Sequence, residues 1–163
     1  MAEFRRLTPD FAVAPQLSLE DIAQAATEGF KTLIKNRPEN EEPGQPGEAA
    51  IIAAAKSAGM IYRALPFTGP PPPAVVAETV LAMEQSGGPI LAYCRSGTRS
   101  AAAWAMAQAL SGRGEPAAII DAGAKAGYDL SRFARPLQVV RIINLNERQF
   151  SERHDLDRPL FLR

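Results

Sequence analysis

Apolar residues fall in short runs separated by glycine, proline and polar breaks, not in one long stripe. Phe4, Leu7, Phe11, Val13 and Leu17, interrupted by Pro9 and Pro15, predict a short edge strand or an extended arm. Ser18 followed by Asp21 is a capping-box pattern, and Ile22, Ala25 and Ala26 would face inward from the helix it opens, with Gly29 closing it. Phe30 to Lys35 reads as a strand, Glu48 to Ala58 as an Ala/Ile-rich helix ended by Gly59, and Met60 to Leu65 as the next strand. A helix is expected from Ala74 to Gln85, a buried strand from Pro89 to Tyr93, and a helix from Ser100 to Leu110 carrying Trp104 as a core residue. Glu115 to Ala126 predicts a further helix and Gly127-Tyr128-Asp129 the start of a short final one. Val139 to Ile143 is β-prone. Strands alternating with helices point to an open α/β sheet, whose site lies beyond the carboxyl ends of the strands.

The chemistry concentrates between the strand ending at Tyr93 and the following helix. Cys94-Arg95-Ser96-Gly97-Thr98-Arg99-Ser100 is small and polar, with a glycine at its centre. A strand, a tight loop and a helix start in that order form an anion cradle of backbone N–H groups. Cys94, the only cysteine of the chain, stands at the first position, where a helix N-terminus and nearby arginines favour the thiolate. Arg95 and Arg99 can hold a tetrahedral oxyanion bidentately. The plainer alternative is a buried structural cysteine followed by a polar helix cap.

Composition narrows the classes. The chain has 163 residues, with 18 basic and 18 acidic side chains and a hydrophobic content of 46%. That length suits one domain. The balanced charge gives no electrostatic support to a nucleic-acid or membrane-surface role. One cysteine and one histidine, His154, make no metal set. With no apolar leader or spanning run, we expect a cytoplasmic protein whose thiol stays reduced. No cofactor is expected.

Cys-Arg-Ser-Gly-Thr-Arg-Ser resembles the active-site loop of rhodanese sulfurtransferases, in which Cys, Arg, Gly and a second Arg have this spacing. It also resembles the cysteine-phosphatase loop, but here four residues separate Cys94 from Arg99 where phosphatases have five. Three more stretches, Gly29 to Pro38 with Glu39 and Glu41, Gly59 to Pro66, and Ala126 to Leu130, resemble a bacterial family described variously as phosphatase-like, beta-lactamase hydrolase-like or sulfur transferase. The resemblance covers roughly residues 8 to 132. It implies a cysteine-phosphatase-like α/β fold: three layers, with a central, mostly parallel sheet of about four to five strands and helices on both faces. Residues 1–134 would form the catalytic domain and 135–163 a C-terminal extension.

Cys94 and Arg99 are therefore the catalytic candidates, with Arg95, Ser96, Gly97, Thr98, Ser100, Asn36 and Arg37 as candidates for holding the anion. Arg37 can instead pair with Glu39, Glu41 or Glu42. The run from Pro66 to Pro73 forms a stiff wall beside the site; in phosphatases of this fold the loop after this strand usually brings an Asp general acid. No Asp occurs from residue 22 to residue 120, which leaves Glu39, Glu41 and Glu42 as acid candidates. Asp121 and Asp129 read as surface or capping residues.

Three functions follow. The first is a sulfurtransferase that forms a Cys94 persulfide from thiosulfate or a small persulfide and passes sulfur to a thiol or cyanide. The resemblance adds a persulfide-oxidising enzyme as partner. The alternative is a phosphatase working through a Cys94 phosphocysteine. The third is a non-catalytic module that binds an oxyanion or a partner.

Overall fold

In the structure, a computed structural model, the backbone is described through residue 156 and the side chains through residue 153. Five strands form one sheet: β1 (Arg5–Thr8), β2 (Phe11–Ala14), β3 (Thr32–Lys35), β4 (Ile61–Ala64) and β5 (Ile90–Tyr93), in the order β1-β2-β5-β3-β4. Only β1 runs antiparallel, as a hairpin with β2. The predicted edge strand is thus two strands. The others are parallel, and their register aligns Ala14, Tyr93, Lys35 and Ala64 across the sheet. Their carboxyl ends therefore form one rim, with β5 at its centre.

Alternation along the strands divides the core in two. Ala12, Ala14, Leu33, Leu91 and Tyr93 pack against α1 (Leu19–Thr27) and α2 (Glu48–Ser57) through Ile22, Ala25, Ile51 and Ala55. Phe11, Val13, Ile34, Ile90 and Ala92 face the other layer. That layer contains α3 (Pro73–Gln85), α4 (Thr98–Leu110), α5 (Pro116–Lys125) and α6 (Ala134–Leu156). The result is the three-layer α/β architecture that the resemblance implies. The Ser18–Asp21 capping box forms: the Asp21 N–H donates to Ser18 Oγ (3.1 Å) and the Ser18 N–H to Asp21 Oδ2 (2.8 Å).

Helix α4 is buried on nearly all sides, with Ala101, Ala102, Ala103, Trp104, Ala105, Ala107 and Ala109 in the core. A helix apolar all round belongs in an interior. Its alanines let α3, α5 and α6 close around it, which fixes its N-terminus beneath the rim.

Two expectations are corrected. Val139 to Ile143 lies within α6, not a strand. The inward face of that helix is mixed in polarity, which hides its period. Leu137 is fully buried and Val140 packs beside it, but Arg141 pairs with Glu115, Asn144 donates to the Leu110 carbonyl, and Arg148 donates to Ser111 O at 3.2 Å. Tertiary packing overrides the β-branched preference. Gly127 to Asp129 is not helical either. Gly127 (φ 89°) turns the chain after α5, Asp129 Oδ1 accepts the Ser131 N–H (2.9 Å), and a short 3₁₀ turn begins only at Ser131. The side chain of His154 lies outside the described residues. Among the described residues no helix is long and apolar enough to cross a membrane.

Because α6 is anchored through its N-terminal turns, its positions should differ sharply in cost. Leu137→Ala should lower the unfolding free energy by about 2–5 kcal/mol through cavity formation. Ile142→Ala, at a position 50% exposed, should change it by less than about 0.5 kcal/mol. Urea denaturation of both variants checks this.

Candidate active site

β5 ends at the centre of the rim, and its continuation is held from both sides. The Cys94 N–H donates to Ala14 O (3.4 Å), the Gln16 N–H to Arg95 O (3.1 Å) and the Asn36 N–H to Tyr93 O (2.9 Å). Cys94 is fully buried. Its Sγ accepts the Gly97 N–H at 3.1 Å, so the sulfur faces the loop amides at the start of α4.

Gly97 makes this turn possible. It has φ 93°, in the left-handed region, and caps α4 with its carbonyl accepting the Ala101 N–H at 2.9 Å. A Cβ there would also lie 2.8 Å from Tyr128 Cζ. Tyr128 closes the loop from outside, donating to Ser96 O at 3.4 Å. Ser96 Oγ donates to Thr98 Oγ1 (3.1 Å) and accepts the Thr98 N–H (3.4 Å). Ser100, next to Arg99, is fully buried, and its Oγ has no hydrogen-bond partner among the described residues.

The arginines sit in a web of carboxylates supplied by the loop between β3 and α2. Arg99 Nη1 and Nη2 donate to Glu41 Oε1 (2.6 Å) and Oε2 (2.8 Å), and Nη1 also donates to Phe67 O (3.0 Å). Arg37, 2% exposed, donates to Glu41 Oε2, Gln16 Oε1 and Glu42 Oε2, each at 2.9 Å. The more exposed Arg95 reaches Glu42 Oε1 at 2.5 Å. Arg37 is therefore a positive group at the site and a partner of Glu41 and Glu42 at once. Asn36 braces two strand ends, since its Nδ2 donates to Leu65 O (3.0 Å).

These contacts decide the state of the acid candidates. The Arg99 guanidinium, working against burial and helped by Arg37, holds the Glu41 carboxyl down to about 2. Lys35, together with the Glu48 N–H, lowers Glu39. Both are thus ion-paired carboxylates in this arrangement, and Glu42, the third acid candidate, is paired with Arg37 and Arg95. Arg99 is held charged by Glu41, against burial, and also by electrostatic and hydrogen-bond interaction with Cys94.

Sequence reasoning missed Gln16, Tyr128 and the Phe67 carbonyl. Tyr128 was visible as part of a familiar stretch, but its distance from Cys94 along the chain hid its contact with the loop. The Phe67 carbonyl carries no side-chain signal. Its position follows from the Phe67 N–H donating to Asn36 O at 3.2 Å.

Residues 3–111 match the family described as "Beta-lactamase hydrolase-like protein, phosphatase-like domain". A beta-lactamase hydrolase-like protein of Agrobacterium fabrum is 35% identical over 137 residues, which is 82% of this chain but 31% of that protein. This chain thus spans about a third of that relative. Among solved structures, a provisionally named phosphatase from Neisseria meningitidis aligns with a TM-score of 0.72 at 34% identity, covering 85% of this chain and 98% of that one. TpbA of P. aeruginosa, solved in complex with pTyr, shares the fold at a TM-score of 0.62 and 16% identity, covering 86% and 89%.

Two outcomes test the site's build. Gly97→Ala should cost about 1–3 kcal/mol through its left-handed backbone alone, and more through the Tyr128 ring. Measured in a Tyr128→Ala background, Gly97→Ala should cost only the first part, as read by denaturation. The second outcome concerns pH. With Glu41 lowered from 4.5 to about 2, its contribution is complete above pH 4.5 and is lost as pH falls toward 2. Acid unfolding should therefore be steeper over that interval in the native protein than in Glu41→Gln.

Proposed function

Because the chain belongs to the family of phosphatase-like domains of beta-lactamase hydrolase-like proteins, we propose that it is a cysteine-dependent phosphatase for esters with good leaving groups. The observation that carries this reading is Cys94 Sγ held on the Gly97 N–H at the start of α4, the helix whose first turn carries Arg99. Sγ attacks phosphorus, an S–P bond forms, and the P–O bond to the leaving group breaks. Loop N–H groups and Arg99 hold the non-bridging oxygens, where charge develops. Water then attacks phosphorus, the S–P bond breaks, and inorganic phosphate departs. Ser100 Oγ, buried without a hydrogen-bond partner among the described residues, is the donor we assign to the departing sulfur.

The leaving-group restriction follows from the carboxylates. General acid catalysis contributes typically about 10²–10⁴-fold, and Glu39, Glu41 and Glu42 all stand in ion pairs with Lys35 or the arginines in this arrangement. Aryl phosphates, whose leaving oxygen is stable as an anion, need that proton least. The family description and the Neisseria relative support this chemistry above sulfur transfer.

Sulfur transfer is the second reading, favoured by the four residues between Cys94 and Arg99. There Sγ attacks the sulfane sulfur of thiosulfate and sulfite leaves with the bonding electrons; a thiolate then attacks the outer sulfur of the Cys94 persulfide, the S–S bond breaks and the Cys94 thiolate is restored. This route needs no acid.

One experiment compares them. An aryl phosphate should be hydrolysed by the native protein, with activity lost in Cys94→Ser and cut by about 10²-fold or more in Arg99→Ala. An inert native protein that gains one sulfur atom from thiosulfate, as read by intact mass, would replace the first reading with the second.

A further inference from the structure

Resting on that reading of the site, we propose that Glu41 is a built-in occupant of the oxyanion seat on Arg99, and that the loop from residue 38 to residue 47 is a lid which a tetrahedral oxyanion must displace. The geometry is that of a ligand. Both carboxylate oxygens meet both terminal nitrogens of Arg99, at 2.6 and 2.8 Å. This is the two-point contact by which a guanidinium takes a phosphate or a carboxylate. Cys94 beneath it has no solvent exposure, and Arg99 is itself largely covered, at 19%. A substrate cannot reach the sulfur while this arrangement stands.

The loop is built to move as a unit. Gln45 ties it internally, donating from Nε2 to Pro38 O (2.8 Å) and accepting the Glu41 N–H (3.2 Å), while the Gln45 N–H donates to Glu42 O (3.3 Å). Asn40, at φ 59°, makes the tight turn before Glu41; Asn tolerates that conformation better than most residues. At its base, Glu39 pairs with Lys35 and accepts the Glu48 N–H at 3.0 Å. Toward the cysteine loop, the contacts are ion pairs from Glu41 to Arg99 and Glu42 to Arg95, with Arg37 beneath them. An incoming oxyanion can replace such pairs like for like.

The lid therefore selects by charge. Closed, it pairs Arg99 and Arg95 with its own carboxylates. Open, it leaves two guanidiniums and a helix N-terminus facing one point, a seat for phosphate, sulfate or thiosulfate. A neutral thiol has no means of driving the exchange, since a ligand shifts an equilibrium only by its preference for one state.

The test uses Cys94 alkylation by iodoacetamide, with inorganic phosphate and thiosulfate as separate probes. Glu41→Gln should react at least about tenfold faster than the native protein, and phosphate should protect it at least about tenfold more tightly. Glu42→Gln makes the same charge change but frees only the more exposed Arg95, and should move both in the same direction by less than about threefold. Equal effects in the two variants, or none in Glu41→Gln, would overturn the proposal. The native protein gives a reading that no unfolded variant can confuse: saturating phosphate should speed amide hydrogen exchange across residues 39–47, and slower or unchanged exchange refutes the lid. Protection by thiosulfate but not phosphate keeps the lid and reassigns the substrate. Faster alkylation in Glu41→Gln without aryl phosphate turnover removes the phosphatase reading alone; turnover with unaltered alkylation removes the lid alone.

Discussion

Gly97 in the left-handed conformation is the constraint on which the site depends. It lets the chain leave β5, bend under Tyr128 and enter α4 with a backbone N–H aimed at Cys94 Sγ. The bend places sulfur at a helix start only because β5 lies between β2 and β3, whose ends hold the same turn through Ala14 O, Gln16 N–H and Asn36 N–H. The alanine-lined α4 completes the arrangement, since a bulkier helix could not lie so deeply among α3, α5 and α6.

Charge governs what this scaffold can accept. Arg37, Arg95 and Arg99 converge on the rim, and Glu41 and Glu42 answer them from a single loop. Burying a guanidinium without a partner is costly, so Arg37, nearly inaccessible, requires these carboxylates simply for the loop to fold. Glu41 thereby joins structural and functional demands: the group that satisfies Arg37 also bridges to Arg99.

Much of this was legible in the chain. Short apolar runs bounded by Gly29, Gly59 and Pro89 located β3, β4 and β5 to within a residue or two, whereas inner strand β2 was read only as part of an edge strand or arm, and a cysteine followed by small polar residues and Arg99 marked the candidate site. What escaped reading was non-local. Val139 to Ile143 has strand-like composition, and only packing of Leu137 and Asn144 against α4 makes it a helix. Tyr128 and Gln16 carry no chemical signature in sequence; their parts come from strand order and from the turn after α5. The lowering of the Glu41 pKa depends on a contact across 58 positions, which no local pattern encodes.

Four residues between cysteine and arginine also have a geometric meaning. A loop with one residue fewer has one backbone N–H fewer to turn toward a bound oxyanion, so more of the anion's charge falls to side chains. Here those side chains are Arg95 and Arg99, and both are already engaged by carboxylates. The shorter loop and the acidic strap are therefore complementary features. A seat that relies on guanidiniums needs a resident counter-charge when empty, because paired cations close together repel and are poorly solvated beneath a folded loop. Glu41 and Glu42 supply it, at the cost that anything entering must compete with them.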